Sequence, residues 1–247
     1  ALSSAASDVY KRQIIHCHDW QTGLIPVYLK ERFQANEFYW GIKSIMTIHN
    51  LKFQGVWDIK TIKSITGLPD YYFTPDKMEF KKDANYLKGG LVYADAITTV
   101  SKTYAEEIKM PFYGEGLDGL MRARANSLRG IVNGIDYSDY NPETDSHIAK
   151  NYSLKNFRKE KVKNKVALQE ELGLAVDPKA MMIGLVSRLT DQKGLDLVAY
   201  MMDELCQDNI QFVVLGTGEA QYENMFRHFA WTVSYTHLRA HETSAHL

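Results

Sequence analysis

Two cations that flank the start of a predicted helix are the side chains in this sequence best suited to act on an anionic group. Residues 187–194, SRLTDQKG, directly follow the apolar run MMIGLV and directly precede a helical pattern. In a doubly wound α/β fold such a loop lies at the carboxyl edge of the sheet, where ligands bind. Arg188 and Lys193 would then lie beside a helix N-terminus, whose free N–H groups favour phosphate. We therefore predict an anion site here, in preference to a pair of solvated surface charges.

A short glycine turn follows the next apolar run. The run IQFVVL leads into Gly216, Thr217 and Gly218 and then into another helical pattern. Residues without a Cβ let a ligand approach the backbone closely at the same sheet edge, although a tight strand-to-helix turn would need the same residues. Position 221 is Gln, so the turn is not the G-x-G-x-x-G dinucleotide fingerprint, and an NAD enzyme is disfavoured.

Two polar pairs end apolar runs in the first half of the chain. His18 and Asp19 follow IIHC, and His49 and Asn50 follow SIMTI. A neutral His18 could exchange hydrogen bonds with a sugar hydroxyl, while Asp19 could orient it or cap the next helix. A buried, satisfied polar pair is the competing interpretation of His49 and Asn50.

The residue inventory argues against several kinds of site and partner. No D-x-D triplet occurs, so a carboxylate pair that could hold a divalent metal is absent, and Arg188 and Lys193 would have to meet the charge of a leaving diphosphate. The absence of a G-x-S-x-G elbow and of a Walker motif argues against a hydrolase and a kinase. We expect no cofactor. The formal net charge is -1, which argues against binding to nucleic acid or to an anionic membrane. No apolar run approaches the roughly 18 residues of a membrane span. Cys17 and Cys206 lie far apart, which favours a reducing compartment, the cytoplasm.

Apolar runs that alternate with amphipathic stretches predict an α/β fold with parallel sheets. Ser101 is a candidate N-cap and Gly173 a candidate helix stop. The predicted strands are 14–17, 44–48, 96–100, 130–132, 181–187 and 210–215. The predicted helices are 20–33, 83–93, 101–109, 154–172, 194–206 and 219–229. The last two strands are apolar throughout, so we expect both of their faces to be covered.

Seven ordered motifs carry a family resemblance. They are HCHDWQTGL, TIHNLKFQG, YADAITTVSKTYAEEI, YGEGLDGL, GIVNGID, SRLTDQKGLDL and VVLGTGE. Over residues 14–231 the sequence resembles the bacterial glycogen synthases and plant starch synthases. The resemblance implies the GT-B architecture, with two Rossmann-like lobes around a cleft, both incomplete here. It also implies a retaining glucosyltransferase that moves glucose from ADP-glucose, or UDP-glucose in some members, to the non-reducing end of an α-1,4-glucan without a metal ion.

The resemblance assigns roles on the donor side. Arg188 and Lys193 match the pair that grips the donor diphosphate and stabilises its developing charge. Asn133 matches an asparagine of the donor-sugar pocket. The turn at 216–218 matches the turn near the nucleotide.

The first lobe supplies the other matches. His18 matches the histidine near the transferred sugar, and His49 and Asn50 belong to a motif that lines the cleft. The family's K-x-G-G-L motif has no counterpart, because Lys88 and the three residues after it lie in a different motif context. The family's E-x-x-G-L motif would follow Trp231. We therefore expect no detectable glucose transfer by these 247 residues alone.

Composition and resemblance together divide the chain. Residues 14–136 are assigned to the acceptor-side lobe, and 154–231 to the first part of the nucleotide-sugar lobe. Residues 137–153, rich in Asp, Asn, Ser and Pro, are assigned to a linker. The tails 1–13 and 232–247 resemble translated sequencing-adaptor read-through and are expected to be non-native and to lie outside the fold.

Two other hypotheses remain open at this point. The first is another GT-B nucleotide-sugar transferase with a different acceptor, although TIHNLKFQG and YGEGLDGL argue against it. The second is a non-catalytic nucleotide- or glucan-binding module, which would bind its ligand without transferring glucose.

Overall fold

The chain separates after Gly134 into two units, Ala1–Gly134 and Ile135–Leu247. A computed structural model describes residues 13–205, 210–232 and 238–241. Residues 131–156 contain neither helix nor strand, and the separation falls inside this stretch. The domain boundaries drawn from the sequence stay predictions.

Across its described residues the first unit contains seven strands. They are β1 (Ile14–His18), β2 (Lys43–Ile48), β3 (Val56–Asp58), β4 (Glu79–Phe80), β5 (Asp83–Asn85), β6 (Ala96–Thr99) and β7 (Leu128–Gly130). A parallel sheet has the order β1-β2-β6-β7, and a small antiparallel sheet has the order β3-β5-β4. His18 at the end of β1 pairs with Thr47 in β2, so the two strands reach the same edge of the sheet.

Side-chain caps fix where several helices of the first unit begin. These helices are α1 (Leu24–Glu31), α2 (Ile59–Thr66), α3 (Tyr86–Tyr93), α4 (Lys102–Glu107) and α5 (Asp118–Ala123). The Ser101 hydroxyl accepts a hydrogen bond from the Tyr104 N–H at 2.9 Å, so the predicted cap of α4 is confirmed. The Asn85 side chain accepts from the Lys88 N–H at 2.8 Å and starts α3.

The start of α1 and helix α3 approach so closely that glycine is required in both. A Cβ at Gly23 would lie 2.1 Å from the Tyr86 carbonyl oxygen, and one at Gly90 would lie 3.0 Å from the Gly23 Cα. Beside this contact, Met46 and Leu87 are fully buried. The helices are thereby held against the parallel sheet, whose edge carries His18.

The second unit repeats the strand-helix alternation. Its elements are α6 (Phe157–Glu171), β8 (Met181–Val186), α7 (Leu195–Leu205), β9 (Ile210–Leu215), α8 (Ala220–Thr232) and β10 (Leu238–His241). The strands form a parallel sheet in the order β10-β9-β8. Leu195, Met202, Phe212 and Phe226 are buried in one cluster, so α7 packs an apolar face against the sheet and α8. Gly173, at φ +63°, follows α6 as the predicted helix stop.

Several predicted elements are shifted or incomplete. Residues 83–85, predicted as helix, form β5, because the Asn85 cap starts the helix one residue later. The strand predicted at 130–132 lies at Leu128–Gly130 instead. The prediction that both faces of β8 are covered is wrong, since Met181 and Val186 are 62% and 68% exposed.

One part of the C-terminal tail belongs to a sheet. Leu238–His241 pairs with β9 in parallel register and Thr232 ends α8, so the expectation that residues 232–247 lie wholly outside the fold is wrong for these five. Their native or foreign origin stays a prediction. Within the described ranges, no helix is both long enough and apolar enough to cross a membrane.

Candidate functional site

The ends of β1 and β2 bring two of the predicted site residues into contact. Nδ1 of His18 and Nε2 of His49 lie 3.0 Å apart, within hydrogen-bond distance. Both residues are exposed, so the interpretation of His49 as a buried polar residue is wrong. Asn50, the next residue, is half-buried. The His16 ring centroid lies 4.3 Å from that of His18, with the ring planes tilted by 30°, and extends this exposed histidine edge.

Asp19 joins the two strand ends instead of capping a helix. Its carboxylate accepts a hydrogen bond from the His49 N–H at 2.8 Å and makes no cap bond to the turn that follows. The Asp19 φ is +53°, a strained value for a residue with a Cβ. Its own N–H donates to the Thr47 carbonyl at 3.0 Å. These two bonds to the neighbouring strand offset the strain and fix the geometry of the edge.

The surroundings of His18 favour its neutral form. Partial burial, then the nearby His16 and His49, lower the pKa of His18 from its ordinary value of 6.5, and Asp19 acts in the opposite direction. A neutral imidazole has one donor and one acceptor nitrogen. Because Nδ1 of His18 faces His49, its Nε2 is the nitrogen that can donate to or accept from a hydroxyl group at neutral pH.

An aromatic cavity of about 450 Å³ opens beside the same edge. It is lined by Trp20, Lys52, Phe53, Gln54, Gly55, Val56, Trp57 and Phe80. Trp20 and Trp57 meet edge to face with ring centroids 5.2 Å apart. A Cβ at Gly55 would lie 2.6 Å from the Trp20 ring, so glycine leaves the room that this ring occupies. We refer to this feature as the aromatic pocket.

Sequence reasoning missed the aromatic pocket. Trp57 lies in β3, a strand of three residues that is too short to show a period. The available signal was the pair of aromatic residues, Phe53 and Trp57, around Gly55 directly after the His49 motif.

In the second unit, Arg188 and Lys193 lie in the loop that joins β8 to α7. Lys193 ends a 3₁₀ turn, Asp191–Lys193, and Gly194 at φ +65° leads into the helix. Both cations are exposed. Within the described ranges neither side chain has a hydrogen bond or salt bridge. The loop therefore presents two uncompensated positive charges where the sequence predicted an anion site, and anion binding itself stays a prediction.

The glycine turn after β9 packs against its own chain. A Cβ at Gly216 would lie 1.9 Å from the Ser187 carbonyl oxygen, and one at Gly218 would lie 2.2 Å from that of Leu189. Leu189 also donates its N–H to the Thr217 carbonyl at 2.9 Å. The tight turn thus explains both glycines without a ligand, and contact between this turn and a nucleotide stays a prediction.

Asn133 and Lys88 differ in their surroundings. Asn133 is exposed in the irregular segment after β7. Lys88 donates from Nζ to the carbonyls of Pro75 and Glu79, at 2.6 and 2.5 Å, and burial lowers its pKa. The Lys88 ammonium is therefore held by backbone carbonyls of its own unit. This is what we expect if its segment is unrelated to the family's donor-contacting lysine motif.

The part of the chain that the structure describes holds no group of three or more metal-capable side chains. Buried Cys17 is a free thiol, whereas Cys206 lies outside the described residues. The chemistry that the arrangement offers is hydrogen bonding at the edge of the first sheet, apolar contact in the aromatic pocket, and positive charge after β8.

A family comparison agrees with the motifs. Residues 1–123 match the family model of the starch synthase catalytic domain. The match takes in the first 13 residues, whose foreign origin stays a prediction.

Curated bacterial proteins are similar over most of the chain. The glycogen synthase of Lachnospira eligens is 73% identical over 231 residues, which cover 94% of this chain and 48% of that protein. The glycogen synthase of Lachnoclostridium phytofermentans is 67% identical over 90% of this chain and 46% of its own length. The chain thus spans about half the length of these relatives.

A solved structure shares the fold. The catalytic domain of starch synthase IV from Arabidopsis thaliana, bound to ADP and acarbose, superposes with a TM-score of 0.87 at 29% identity. The match covers 98% of this chain and 50% of that one, and it confirms the predicted α/β fold of the GT-B class. The ordered motifs, the fold and these similarities agree, and the chain therefore belongs to the glycosyltransferase family of the glycogen synthases and starch synthases.

Proposed function

We propose that the protein is a retaining glucosyltransferase that moves glucose from ADP-glucose to the non-reducing end of an α-1,4-glucan. One observation carries the proposal. In a chain whose curated relatives are named glycogen synthases, Arg188 and Lys193 are exposed beside a helix start, with no partner among the described residues. Two such cations, with the free N–H groups of the helix, offer a diphosphate charge-assisted hydrogen bonds.

The reaction makes a specific demand on these cations. The bond between glucose C1 and the donor diphosphate breaks, and its electron pair leaves with ADP. The acceptor 4-hydroxyl oxygen bonds to C1 with the original configuration, and its proton passes to the departing ADP. Negative charge grows on the diphosphate as the bond breaks, and Arg188 and Lys193 stabilise that charge in the transition state.

We assign the acceptor to the first unit. Neutral His18 is assigned one hydrogen bond, through Nε2, to a hydroxyl of the transferred glucose, and His49 and Asn50 lie beside it at the same edge. The aromatic pocket offers ring faces to the apolar C–H faces of glucose, which suits a chain of glucose rings. Asn133 is assigned to the donor sugar, and this assignment rests on the family resemblance.

Adenine is the proposed base of the donor, and UDP-glucose is the alternative. The support for adenine is that the Arabidopsis starch synthase IV was solved with ADP. Arg188 and Lys193 would grip the diphosphate of either donor. The buried free thiol of Cys17 is in keeping with a reducing compartment, and we assign the protein to the cytoplasm.

A chimera tests the proposal directly. The region of the L. eligens glycogen synthase that this chain matches is replaced by this chain, and incorporation of labelled glucose into glycogen is measured with ADP-glucose and with UDP-glucose. We expect transfer from ADP-glucose close to the rate of the parent enzyme, and strong loss when the chimera carries Arg188→Ala. A folded chimera that binds glycogen and transfers no glucose would overturn the proposal. Preference for UDP-glucose would overturn only the choice of donor.

The same assay on these 247 residues alone addresses the binding-module hypothesis. If both this chain and the chimera bind ADP or glycogen without transferring glucose, the binding-module hypothesis replaces the enzyme hypothesis. If the chimera transfers glucose and the chain alone does not, the enzyme is supported and residues outside this chain are needed for the reaction.

A further inference from the structure

A buried tyrosine is hydrogen-bonded to the loop that carries the cation pair. The Tyr222 hydroxyl, on α8, donates to Oδ1 of Asp191 at 2.5 Å. Tyr222 is 8% exposed and belongs to the apolar cluster of the second unit, with Leu195 and Phe226. Its ring is held by packing, so the hydroxyl is a fixed anchor for Asp191.

The backbone of Leu189 ties the start of the loop to Thr217 and Glu219, and Asp191 ties its second half to α8 and to Glu219. Asp191 opens the turn that ends at Lys193, and its carbonyl accepts from the Gly194 N–H at 3.2 Å. Its own N–H donates to Oε1 of Glu219 at 3.4 Å. The side chain of Asp191 therefore sets the position of the turn, and with it the starting point of the Lys193 side chain.

The same bond bears on the charge of the loop. Asp191 carries a carboxylate two residues from Lys193, and an unengaged carboxylate there would compete with a ligand for the lysine. The structure shows no salt bridge between these two residues, and Oδ1 is occupied by the Tyr222 hydroxyl. The hydrogen bond to Asp191, followed by burial, raises the pKa of Tyr222 to about 12. The phenol thus keeps its proton and stays the donor at physiological pH.

We propose that Tyr222 is a positioning residue for the diphosphate site. By holding Asp191, it sets the loop of Arg188 and Lys193 before the nucleotide arrives and keeps the Asp191 carboxylate away from Lys193. The inference rests on the proposed function, because it concerns the same donor loop. Tyr222 itself touches no substrate in this assignment.

The experiment compares Tyr222→Phe with Tyr200→Phe. Tyr200 lies on α7 of the same unit, is 84% exposed, and has no hydrogen bond to a described residue through its hydroxyl. Binding of ADP and of adenosine to the full 247-residue chain is measured by calorimetry. Amide hydrogen exchange is followed in peptides covering residues 188–194 and residues 181–186. We expect Tyr222→Phe to weaken ADP binding about three- to tenfold, with adenosine binding unchanged and faster exchange confined to residues 188–194.

A second pair of variants separates positioning from general damage. Asp191→Asn keeps an Oδ1 that accepts from Tyr222 and should retain most of the ADP affinity. Asp191→Ala should lose it, and adding Tyr222→Phe to Asp191→Ala should cause little further loss, because the two groups act through one bond.

The outcomes distinguish this inference from the proposed function. If the unchanged chain binds ADP and Tyr222→Phe binds it equally well, the positioning role is overturned and the donor site stands. Equal weakening of ADP and adenosine, or faster exchange throughout the second unit, would also overturn it, because the effect would then be structural. If the unchanged chain binds no ADP, the donor-site assignment is overturned and the positioning role falls with it.

Discussion

The carboxylate of Asp19 accepts a hydrogen bond from the backbone N–H of His49 at 2.8 Å, across 30 residues of sequence. The bond ties the residue after β1 to the residue after β2, where the rings of His18 and His49 meet. The distance between the two histidines is therefore set by backbone and carboxylate, and not by the rings alone. Damage to this tie should alter both stability and the histidine edge.

The stability of Asp19 variants should depend on two properties of the new residue. These are its ability to accept the hydrogen bond from His49 and its tolerance of the backbone strain at this position. Asp19→Asn keeps an acceptor oxygen and should stay near the original stability. Asp19→Ala loses the bond and retains a Cβ at φ +53°, so we expect a loss of about 1 kcal/mol. Asp19→Gly should fall between them, since glycine tolerates that φ. Urea unfolding followed by tryptophan fluorescence measures the order, and equal midpoints for all four proteins would contradict it.

His18 should make the first unit less stable in mild acid. Its pKa is lowered in the folded protein, so the unfolded chain binds the proton more readily. Stability should fall as the pH drops through about 6.5, the ordinary histidine value, and this contribution is fully lost below the lowered pKa. His18→Gln should flatten the change in urea midpoint between pH 7.5 and pH 5.5. His147→Gln, a fully exposed position in the other unit, is the control, and an unchanged slope in His18→Gln would contradict the prediction.

If the proposed donor site is right, Arg188→Ala and Lys193→Ala should each lower kcat of the chimera by about two to three orders of magnitude, because each would remove a stabiliser of developing charge. Folding should survive, since both side chains are exposed in a loop. Lys179→Ala, at another exposed lysine of the same unit, is the matched control. Near-normal turnover in either loop variant would remove the diphosphate assignment.

Trp57→Ala should weaken the binding of glycogen to the chain about threefold or more, because it removes one ring face of the aromatic pocket. Affinity electrophoresis in gels that contain glycogen gives the dissociation constant. Trp231→Ala is the control, since Trp231 is 81% exposed in the second unit. Equal retardation of both variants and the unchanged chain would show that the pocket does not hold the glucan.

Glucose transfer by the chimera should be insensitive to EDTA. The sequence has no D-x-D pair, and in the proposed function Arg188 and Lys193 meet the charge that a divalent ion would otherwise neutralise. Transfer rates are compared before and after dialysis against EDTA, and then with added Mg²⁺ or Mn²⁺. A strict requirement for either ion would contradict the prediction.

The proximity of His18 and His49 could be predicted because it depends on one rule. Both residues end apolar strands, and neighbouring parallel strands reach the same sheet edge. The role of Asp19 could not be predicted in the same way, since an Asp between a strand and a helical pattern usually caps the helix. Here the Asp19 side chain instead accepts a hydrogen bond from His49, after the next strand, and no local sequence pattern encodes that bond.

The strands between residues 51 and 85 were missed for a different reason. The strands β3, β4 and β5 have two or three residues each, and their order is set by antiparallel pairing with one another. Periodicity needs longer runs, so the strands left no readable pattern, and only Phe53 and Trp57 around Gly55 marked the pocket beside them. The Tyr222–Asp191 bond joins residues 31 apart and was equally invisible.

The crowding around Gly216 and Gly218 has a consequence for genetics. Any side chain at these positions would collide with a carbonyl of Ser187 or Leu189, so nearly every missense allele there should reduce the amount of folded protein in the cell. A screen scored only by glycogen staining would rank both codons beside that of Lys193 and suggest a shared catalytic role. Counting protein abundance for each allele would separate them, with Lys193 alleles present at normal levels and the glycine alleles depleted.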